Sequence, residues 1–272
     1  KIFDIFLKTN SAKYLKYISG PNNSEQYCSR LSTHLTYGTL SVKEVLKKVN
    51  FYLDQNSSYL DKSKIKNIKA FTSRISWRCH FIQKLEDQPS IEFKSMHPNF
   101  DALTRHQSIN AHFRSWEKGL TGYSFIDACI RSLTQTGWIN FRMRAMLVSF
   151  ESYDLWLDWR KTSKYLARQF LDYEPGIHFS QFQMQSGVTG INSIRIYNPV
   201  KQQRDHDPEG VFVKMWVPEL KNVPLEYIFT PHLMSDNFQE MHSVKIDIDY
   251  PAPIVDHYLQ AKKAKKILYG IK

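Results

Sequence analysis

Apolar residues recur at helical spacing along most of this chain, and that spacing restricts the fold more than any other feature of the sequence. The clearest stretch follows an S-x-x-E capping box at Ser41 and Glu44, and its apolar residues obey the i, i+3, i+4, i+7 rule: Val42, Val45, Leu46, Val49 and Leu53. The same period runs over 65–85, 124–134 and 139–157. Strand-like alternation comes closest at 211–216, which also fits a helix. The sequence therefore predicts an all-α fold.

Turn-forming residues gather in four short segments, at 20–24, 172–176, 186–192 and 205–210. These segments predict loops between helices. The chain has no internal repeat and no low-complexity linker, so one mostly helical domain is the simplest interpretation. Within it we distinguish an N-terminal helical part, residues 1–94, from a helical core, residues 95–272.

An excess of positive charge narrows the choice of partners. The 272 residues include 37 Lys and Arg against 26 Asp and Glu, a formal net charge of +11 at pH 7. Such a surface suits a polyanion, because binding of phosphates releases their condensed counterions. A solvated basic surface that only keeps the protein in solution explains the same excess. The 42% hydrophobic content is sufficient for a sizeable core and argues against general disorder.

The cysteines and histidines argue against a disulfide framework and a metal site. No two of the three cysteines form a CxxC pair: Cys28, Cys79 and Cys129. His106 and His112 come closest to a metal-like spacing, but they lack neighbouring thiols or carboxylates. The longest apolar run, 145–148, is too short to cross a bilayer, and the first residues lack the apolar core of a signal peptide. We therefore expect a cytoplasmic, reduced protein without metal or membrane contact.

Five segments, in this order along the chain, resemble the FAD-binding helical domain of the cryptochrome/photolyase family. They are 28–41 (CSRLSTHLTYGTLS), 116–174, 195–199 (RIYNP), 205–220 (DHDPEGVFVKMWVPEL) and 250–257 (YPAPIVDH). The resemblance implies a buried FAD that, excited by light, exchanges an electron with a DNA lesion or a protein aromatic. Members usually carry an N-terminal α/β antenna domain that nothing here resembles. The chain is therefore either a naturally short form or a piece of a longer protein.

The resemblance assigns the phosphates of FAD to a loop that precedes a helix. Four residues match the family's phosphate loop one by one: Ser29, Arg30, Leu31 and Ser32. Small hydroxyl residues ahead of a helix offer hydroxyls and backbone N–H groups to a pyrophosphate. Tyr17 matches an upstream tyrosine contact, and Arg78 matches an arginine that meets the same phosphates.

Five further residues surround the isoalloxazine ring by resemblance. Arg144 matches the arginine on the N5 side of the ring, and Asp172 matches the carboxylate that pairs with it. Glu174 stands where the family often has Asp near the N1/O2 edge, and Phe141 replaces an Asn that contacts flavin or lesion. His178 occupies the position that faces N5, commonly Asn, Asp or Cys. A histidine there either exchanges a proton near neutral pH or is a hydrogen-bonded core residue.

Four residues form the expected DNA-binding face: Arg74, Trp77, Arg142 and Arg195. Arg74 takes the place of a Glu that hydrogen-bonds the dimer in cyclobutane-dimer photolyases, and Ala145 takes that of a Met that packs on it. Trp77 either stacks on a flipped base, a contact worth about 1–3 kcal/mol, or packs in the core. The basic tail at 261–266 either adds to the DNA-binding charge or is merely solvated.

The electron supply to the flavin differs from the family's usual relay of three tryptophans. Trp159 matches the middle member, whereas Phe182 and His106 stand at the proximal and distal places. Since phenylalanine is much harder to oxidise than tryptophan, we expect slow photoreduction without an external reductant. Three other aromatic residues are candidates for a detour: Trp156, Tyr153 and Tyr173.

Three functions remain open on the sequence alone. The first is light-driven repair of DNA, resembling deoxyribodipyrimidine photolyase, with Trp77, Trp159 and His178 as the residues closest to the chemistry. The second is a cryptochrome-like flavin photoreceptor without repair activity, which the replacement by Arg74 and Ala145 favours. The third is a helical nucleic-acid-binding module that has lost its cofactor. The type of lesion and the oligomeric state stay open.

Overall fold

A computed structural model of the chain describes residues 1–103, 105–106 and 111–271. These residues form α-helices and no β-strand, which confirms the predicted all-α class. The helices are α1 (Ile2–Lys8), α2 (Tyr14–Tyr17), α3 (Pro21–Tyr27), α4 (Ser32–Thr36), α5 (Val42–Asn56), α6 (Lys62–Asp87), α7 (Ala111–Glu117), α8 (Ser124–Thr136), α9 (Phe141–Ser149), α10 (Trp159–Gln169), α11 (Pro175–Ser186), α12 (Pro199–His206), α13 (Val211–Trp216), α14 (Asp236–Met241) and α15 (His257–Ile271). Shorter 3₁₀ turns occupy Asn10–Lys13, Pro89–Glu92, Pro98–Phe100, Pro218–Leu220 and Pro231–Leu233.

The helix patterns of the sequence are present, with one change of character. The patterns at 65–85 and 124–134 lie within α6 and α8, and 211–216 is the helix α13. The pattern at 139–157 divides instead, because Asn140 caps α9 and a π-helical turn, Phe150–Asp154, follows directly. Apolar spacing does not distinguish an α-helical turn from a π-helical one.

The loop predicted at 20–24 is wrong over most of its length. Pro21 begins α3, and proline favours the first turn of a helix because its missing N–H would have no partner there in any case. The predicted loops at 186–192 and 205–210 are present except at their starts, because α11 ends at Ser186 and α12 at His206. Each loop contains a glycine with positive φ: Gly187 at 74° and Gly210 at 67°.

The capping box at the start of α5 is confirmed. The backbone N–H of Glu44 donates to the Ser41 hydroxyl at 3.1 Å, and the backbone N–H of Ser41 donates to the Glu44 carboxylate at 2.8 Å. These two backbone N–H groups have no carbonyl partner within the helix, and the capping box supplies a hydrogen-bond acceptor to each. The position of this cap fixes where α5 turns its apolar side, with Val45 and Val49, towards α6.

The buried apolar side chains form two separate clusters. One consists of residues between Phe3 and Ile75, and the other of residues between Ile91 and Leu268. Helix α6 begins in the first cluster and reaches the second, where it packs along α11. The division of the chain near residue 94 stays a prediction.

The contact between α6 and α11 is unusually close at one glycine. A Cβ on Gly176 would lie 2.6 Å from the Cα of Ile82 and 3.0 Å from the carbonyl oxygen of Phe81. Both neighbours are backbone atoms, so no side-chain rotation relieves the clash. Gly176 therefore sets how near α11 approaches α6, and with it the position of the residues that precede α11.

Within the described ranges, none of the helices combines the length and the hydropathy that a membrane crossing requires. The same ranges contain no group of three or more His, Cys, Asp or Glu side chains placed to hold a metal ion.

Substituting Gly176→Ala tests this close approach. We expect the free energy of unfolding to fall by about 1–3 kcal/mol, because the two helices must separate to admit a methyl group. Urea denaturation followed by circular dichroism measures the change. Gly270→Ala in α15 is the matched control, since nothing lies within 4 Å of a Cβ there, and its stability should stay equal or rise. Equal midpoints for Gly176→Ala and the unchanged protein would contradict the packing described.

Candidate functional site

An ion pair between Arg144 and Asp172 lies at the centre of the candidate site. Asn140 caps α9 by accepting a hydrogen bond from Met143 N–H at 3.0 Å, and this places Arg144 in the first turns of the helix. One terminal nitrogen of Arg144 lies 3.0 and 2.9 Å from the two Asp172 carboxylate oxygens. Only 4% of the Asp172 side chain is exposed, against 25% for Arg144. The pair is thus closed on the carboxylate side and partly open on the guanidinium side.

Two further contacts fix the orientation of this guanidinium. Its Nε donates to the carbonyl oxygen of Ile139 at 2.9 Å, and its carbon lies 4.1 Å from the centre of the Phe170 ring. Thr36 adds a hydroxyl that donates to the carbonyl oxygen of Asp172 at 3.4 Å. Helix α4 is thereby joined to the turn that carries Asp172.

A second ion pair links α6 to the start of α11. Arg78 donates to a carboxylate oxygen of Glu174 at 3.1 Å and to the carbonyl oxygen of Leu35 at 3.3 Å. Both charged side chains are largely buried, with 17% and 19% exposed. Glu174 immediately precedes Pro175, the first residue of α11. The two acidic residues of the turn between α10 and α11 therefore each hold one arginine.

The segment before α4 has the features of an anion-binding loop. Arg30 has a φ of 55°, pairs with Glu25 at 3.1 Å, and places its guanidinium 3.9 Å from the centre of the Trp138 ring. Leu31 is buried and anchors the loop. In the part of the chain that the structure describes, the half-buried hydroxyls of Ser29 and Ser32 accept and donate no hydrogen bond, and α4 has no side-chain cap.

Tyr17 lies at the end of α2 beside this loop. Its ring stacks on that of Tyr27, with centres 4.6 Å apart and an angle of 28° between the planes. Tyr27 in turn precedes the loop by two residues. The structure therefore brings Tyr17 next to the segment that leads into Ser29, and its role as a cofactor contact stays a prediction.

His178 is buried in α11 among aromatic rings. The rings of Tyr173 and Phe182 lie 5.2 and 5.1 Å from its own, and its Nε2 lies 2.9 Å from the carbonyl oxygen of Ser163. Burial lowers the pKa of His178 to about 4; the contact with Ser163 opposes this shift, and the positive charge of Arg144 adds to it. Since a carbonyl only accepts, Nε2 carries the proton and Nδ1 is left as an acceptor.

Of the two roles expected for His178, the low pKa favours a hydrogen-bonded core residue over proton exchange near neutral pH, because the imidazole stays neutral well below pH 7. Its role at the flavin stays a prediction.

The residues expected to meet DNA lie on α6, on α9 and, for Arg195, in the segment between α11 and α12. Trp77 is 48% exposed and Phe141 54% exposed, so neither is a core residue. Arg74 is exposed and lies near the hydroxyl of Tyr14, and Arg195 is exposed. Arg142 instead contacts Tyr197, with its guanidinium carbon 5.7 Å from that ring.

Of the residues at the three places of the expected electron relay, Trp159 and Phe182 are deeply buried, whereas His106 is exposed. Trp159 is 1% exposed at the start of α10, and its indole nitrogen has no hydrogen-bond partner among the described residues. Phe182 is 2% exposed and touches His178. Trp159 and Phe182 belong to the same buried cluster, and the relay role of Trp159 stays a prediction.

Sequence reasoning missed three residues that shape the site. Trp138 supports Arg30, Thr36 holds the turn of Asp172, and Ser163 fixes the tautomer of His178. Each of the three contacts a residue distant in the chain. The contacts of Thr36 and Ser163 also involve a backbone carbonyl oxygen, that of Asp172 for Thr36 and that of Ser163 itself. Only the position of Trp138, directly after the αL cap residue Gly137, carries a local signal.

The donors of the site suit a dinucleotide. Two free hydroxyls, an uncapped helix start and the arginines Arg30 and Arg78 suit a pyrophosphate. The partly open guanidinium of Arg144 suits a polar aromatic ring, and the neighbouring Asn140 has a buried side-chain nitrogen without a partner among the described residues. The residues therefore fit FAD.

The buried imidazole gives a test of the site that needs no cofactor. Histidine labelled with ¹⁵N should show His178 neutral, protonated at Nε2, from pH 8 down to about pH 5. A His178→Gln variant assigns the signal. Because the pKa of His178 is lower in the folded than in the unfolded protein, its contribution to the free energy of unfolding is fully present above about pH 6.5. That contribution falls by about 1.4 kcal/mol per pH unit towards pH 4. A titration of the His178 ¹⁵N signals near pH 6.5 would contradict the burial described.

Comparisons with known proteins agree with this geometry. A protein-family model described as the FAD binding domain of DNA photolyase matches residues 71–269. A deoxyribodipyrimidine photo-lyase of Alkalihalophilus pseudofirmus is 30% identical over 245 residues, which cover 89% of this chain and 49% of that protein. The chain thus spans about half the length of the curated relatives it matches.

Solved structures show the same fold. A bacterial class III photolyase from Agrobacterium tumefaciens has a TM-score of 0.89 and 28% identity, over 99% of this chain and 54% of that one. A cryptochrome of Synechocystis sp. PCC6803 has a TM-score of 0.88 and 25% identity, over 98% and 54%. With this likeness of fold and a family match over most of its length, the chain belongs to the family of FAD-binding domains of DNA photolyases, and its cofactor is FAD.

Proposed function

We propose that this domain is part of a flavoprotein that repairs ultraviolet-damaged DNA in blue light. When bound and fully reduced, FAD supplies a light-excited electron for splitting a pyrimidine lesion. The observation that carries the proposal is the Arg144–Asp172 ion pair, closed on its carboxylate side and partly open on its guanidinium side. Asp172 neutralises Arg144 and leaves part of its guanidinium open to a polar ligand such as the flavin ring.

The residues of the site divide the work of holding the cofactor. Ser29, Ser32 and Arg78 would bind the phosphates. Arg144 would hold the ring edge through its open side, with its charge balanced by Asp172. His178 would present a neutral acceptor to the ring, because its Nε2 proton is already held by Ser163. The aromatic side chains around His178 would exclude water from that side of the ring.

The exposed face next to this site suits a flipped-out base. Trp77 offers an aromatic surface, and about 1–3 kcal/mol is a usual gain for stacking one base on such a ring. Arg74, Arg142 and Arg195 offer positive charge for the phosphates of the strand. Extruding a damaged base costs less than extruding a paired one, which would add selectivity.

The second candidate is a cryptochrome-like photoreceptor without repair activity. It is favoured by Arg74 and Ala145, which replace side chains that contact the lesion in cyclobutane-dimer photolyases, and by the likeness to the Synechocystis cryptochrome. In that case light would change the redox state of the flavin and with it the affinity for a partner.

Removing the central ion pair should release the cofactor. In the Arg144→Ala and Asp172→Ala variants we expect a loss of bound FAD of at least about tenfold, because one charge is left buried without its partner. Absorbance near 450 nm after gel filtration measures FAD per protein.

Arg131→Ala is a matched control for these variants. Arg131 uses one terminal nitrogen to hold both oxygens of Glu219, at 2.9 and 2.8 Å, and its Nε donates to Gly119. Its loss disturbs an ion pair of the same form elsewhere in the fold. FAD occupancy that falls equally in all three variants would remove the special role of Arg144 and Asp172.

Illumination of the reduced protein with ultraviolet-damaged oligonucleotides tests the repair reaction. We expect loss of lesions in blue light and none in the dark, measured by chromatography of the digested DNA. Trp77→Ala should weaken binding of damaged DNA by about 5- to 150-fold, while FAD occupancy stays unchanged. Intact lesions after illumination of reduced, DNA-bound protein would contradict repair and favour the photoreceptor.

A further inference from the structure

Helix α6 itself contributes only positive charge over nearly its whole length, although Arg78 is paired with Glu174 of the turn before α11. From Lys62 to Leu85 the sequence contains no Asp or Glu, and seven cationic residues: Lys62, Lys64, Lys66, Lys69, Arg74, Arg78 and Lys84. A solvated helix face usually intersperses both signs, since opposite charges at i, i+4 stabilise a helix and like charges destabilise it. The composition of α6 therefore differs from that of an ordinary surface helix.

Three of these lysines share one face of α6 with Trp77. Lys62, Lys66 and Lys69 follow the i, i+4, i+7 spacing, and Ser73 and Trp77 continue it at i+11 and i+15. All five side chains are exposed. At about 1.5 Å of rise per residue, the row from Lys62 to Trp77 extends over about 22 Å. A row of this length matches about six base-pair steps of a duplex.

Two adjoining clefts accompany this row. One, of about 330 Å³, is lined by residues that include Lys13, Lys16, Lys66 and Asn67. The other, of about 320 Å³, is lined by Lys62, Ile65, Lys66 and Lys69. Lys66 belongs to both clefts, and neither lining contains a carboxylate. We call the five lysines that line them the lysine face: Lys13, Lys16, Lys62, Lys66 and Lys69.

A buried amide holds the two parts of the lysine face together. Asn67 is 6% exposed; its oxygen accepts from the backbone N–H of Leu15 at 2.7 Å, and its nitrogen donates to the carbonyl oxygens of Ala12 at 3.3 Å and Ser63 at 2.8 Å. The segment that carries Lys13 and Lys16 is therefore fixed against α6. The backbone positions that bring these lysines together are therefore set by the fold.

The charges of the lysine face are not neutralised within the protein. In the ranges that the structure describes, none of its five lysines forms an ion pair. Lys13 and Lys16 instead lie over the rings of Tyr27 and Tyr17, at 5.6 and 5.0 Å from the ring centres. The positive charges that line these two clefts repel each other, and a polyanion bound in the clefts would reduce that repulsion.

We propose that the lysine face binds the phosphate backbone of the DNA whose damaged base reaches Trp77. This inference rests on the proposed function, and extends the contact with DNA about 22 Å along α6, away from the flavin. The contact is to phosphates alone, so it gives affinity without choice of sequence or lesion.

Fluorescence anisotropy in the dark, with undamaged labelled oligonucleotides, tests the proposal without flavin chemistry. The variant Lys62→Ala/Lys66→Ala/Lys69→Ala is compared with Lys43→Ala/Lys47→Ala/Lys221→Ala, which removes three exposed lysines elsewhere and changes the net charge equally. Affinities are measured between about 50 and 200 mM salt. For the first variant we expect at least about tenfold weaker binding and a salt slope smaller by about 2 for a single strand. The second variant should bind as the unchanged protein does.

The outcomes separate this inference from the proposed function. If both variants bind DNA equally, the lysine face is not a DNA contact, even where illumination repairs lesions. If the unchanged protein binds no DNA at all, both proposals fall. Anionic vesicles of phosphatidylserine and phosphatidylcholine are the comparison surface. Vesicle binding that is lost in the first variant, with DNA binding kept, would assign the lysine face to a membrane surface instead.

Discussion

The ion pair between Arg144 and Asp172 is the interaction on which the site depends. Both groups give up hydration to meet, and in a buried pair the loss of one partner costs about 3–5 kcal/mol, because the other is left uncompensated. Arg144 keeps a quarter of its side chain exposed, so its cost is smaller than for a fully enclosed pair. The same partial exposure leaves the guanidinium free to meet a further polar group. The binding of FAD and the stability of the site therefore depend on the same pair of side chains.

This pair lies where the two apolar clusters of the fold meet. Asp172 is held from the N-terminal side by Thr36, and the neighbouring Glu174 by Arg78 of α6. Gly176 then allows α11 to lie directly against α6, which continues back into the first cluster. Because polar contacts of Asp172 and Glu174 contribute to this junction, a bound dinucleotide would join the two halves of the molecule. Cofactor binding and folding are expected to be coupled for this reason.

The sequence predicts the frame of the fold better than the detail of the site. Helices α5, α6 and α8 follow from apolar spacing and from one capping box, whose signals are local. The π-helical turn after α9 is not predicted, since apolar spacing does not encode its backbone hydrogen bonds. The helix beginning at Pro21 is not predicted because glycine, proline and asparagine together indicate a turn, although proline also favours the first turn of a helix. The pairing of Arg144 with Asp172 came from family resemblance alone. The low pKa of His178 follows from burial and from the nearby charge of Arg144, against the opposing contact with Ser163, and no local pattern reveals these contacts.

A crystal structure of the protein with FAD tests most directly whether Arg144 and Asp172 hold the flavin. We expect a flavin ring beside Arg144, within hydrogen-bond distance of its open side, with the ion pair to Asp172 intact. We also expect phosphates at Ser29, Ser32 and Arg78. A flavin bound elsewhere, or an Arg144 that leaves Asp172 and turns to solvent, would show that this ion pair does not hold the cofactor.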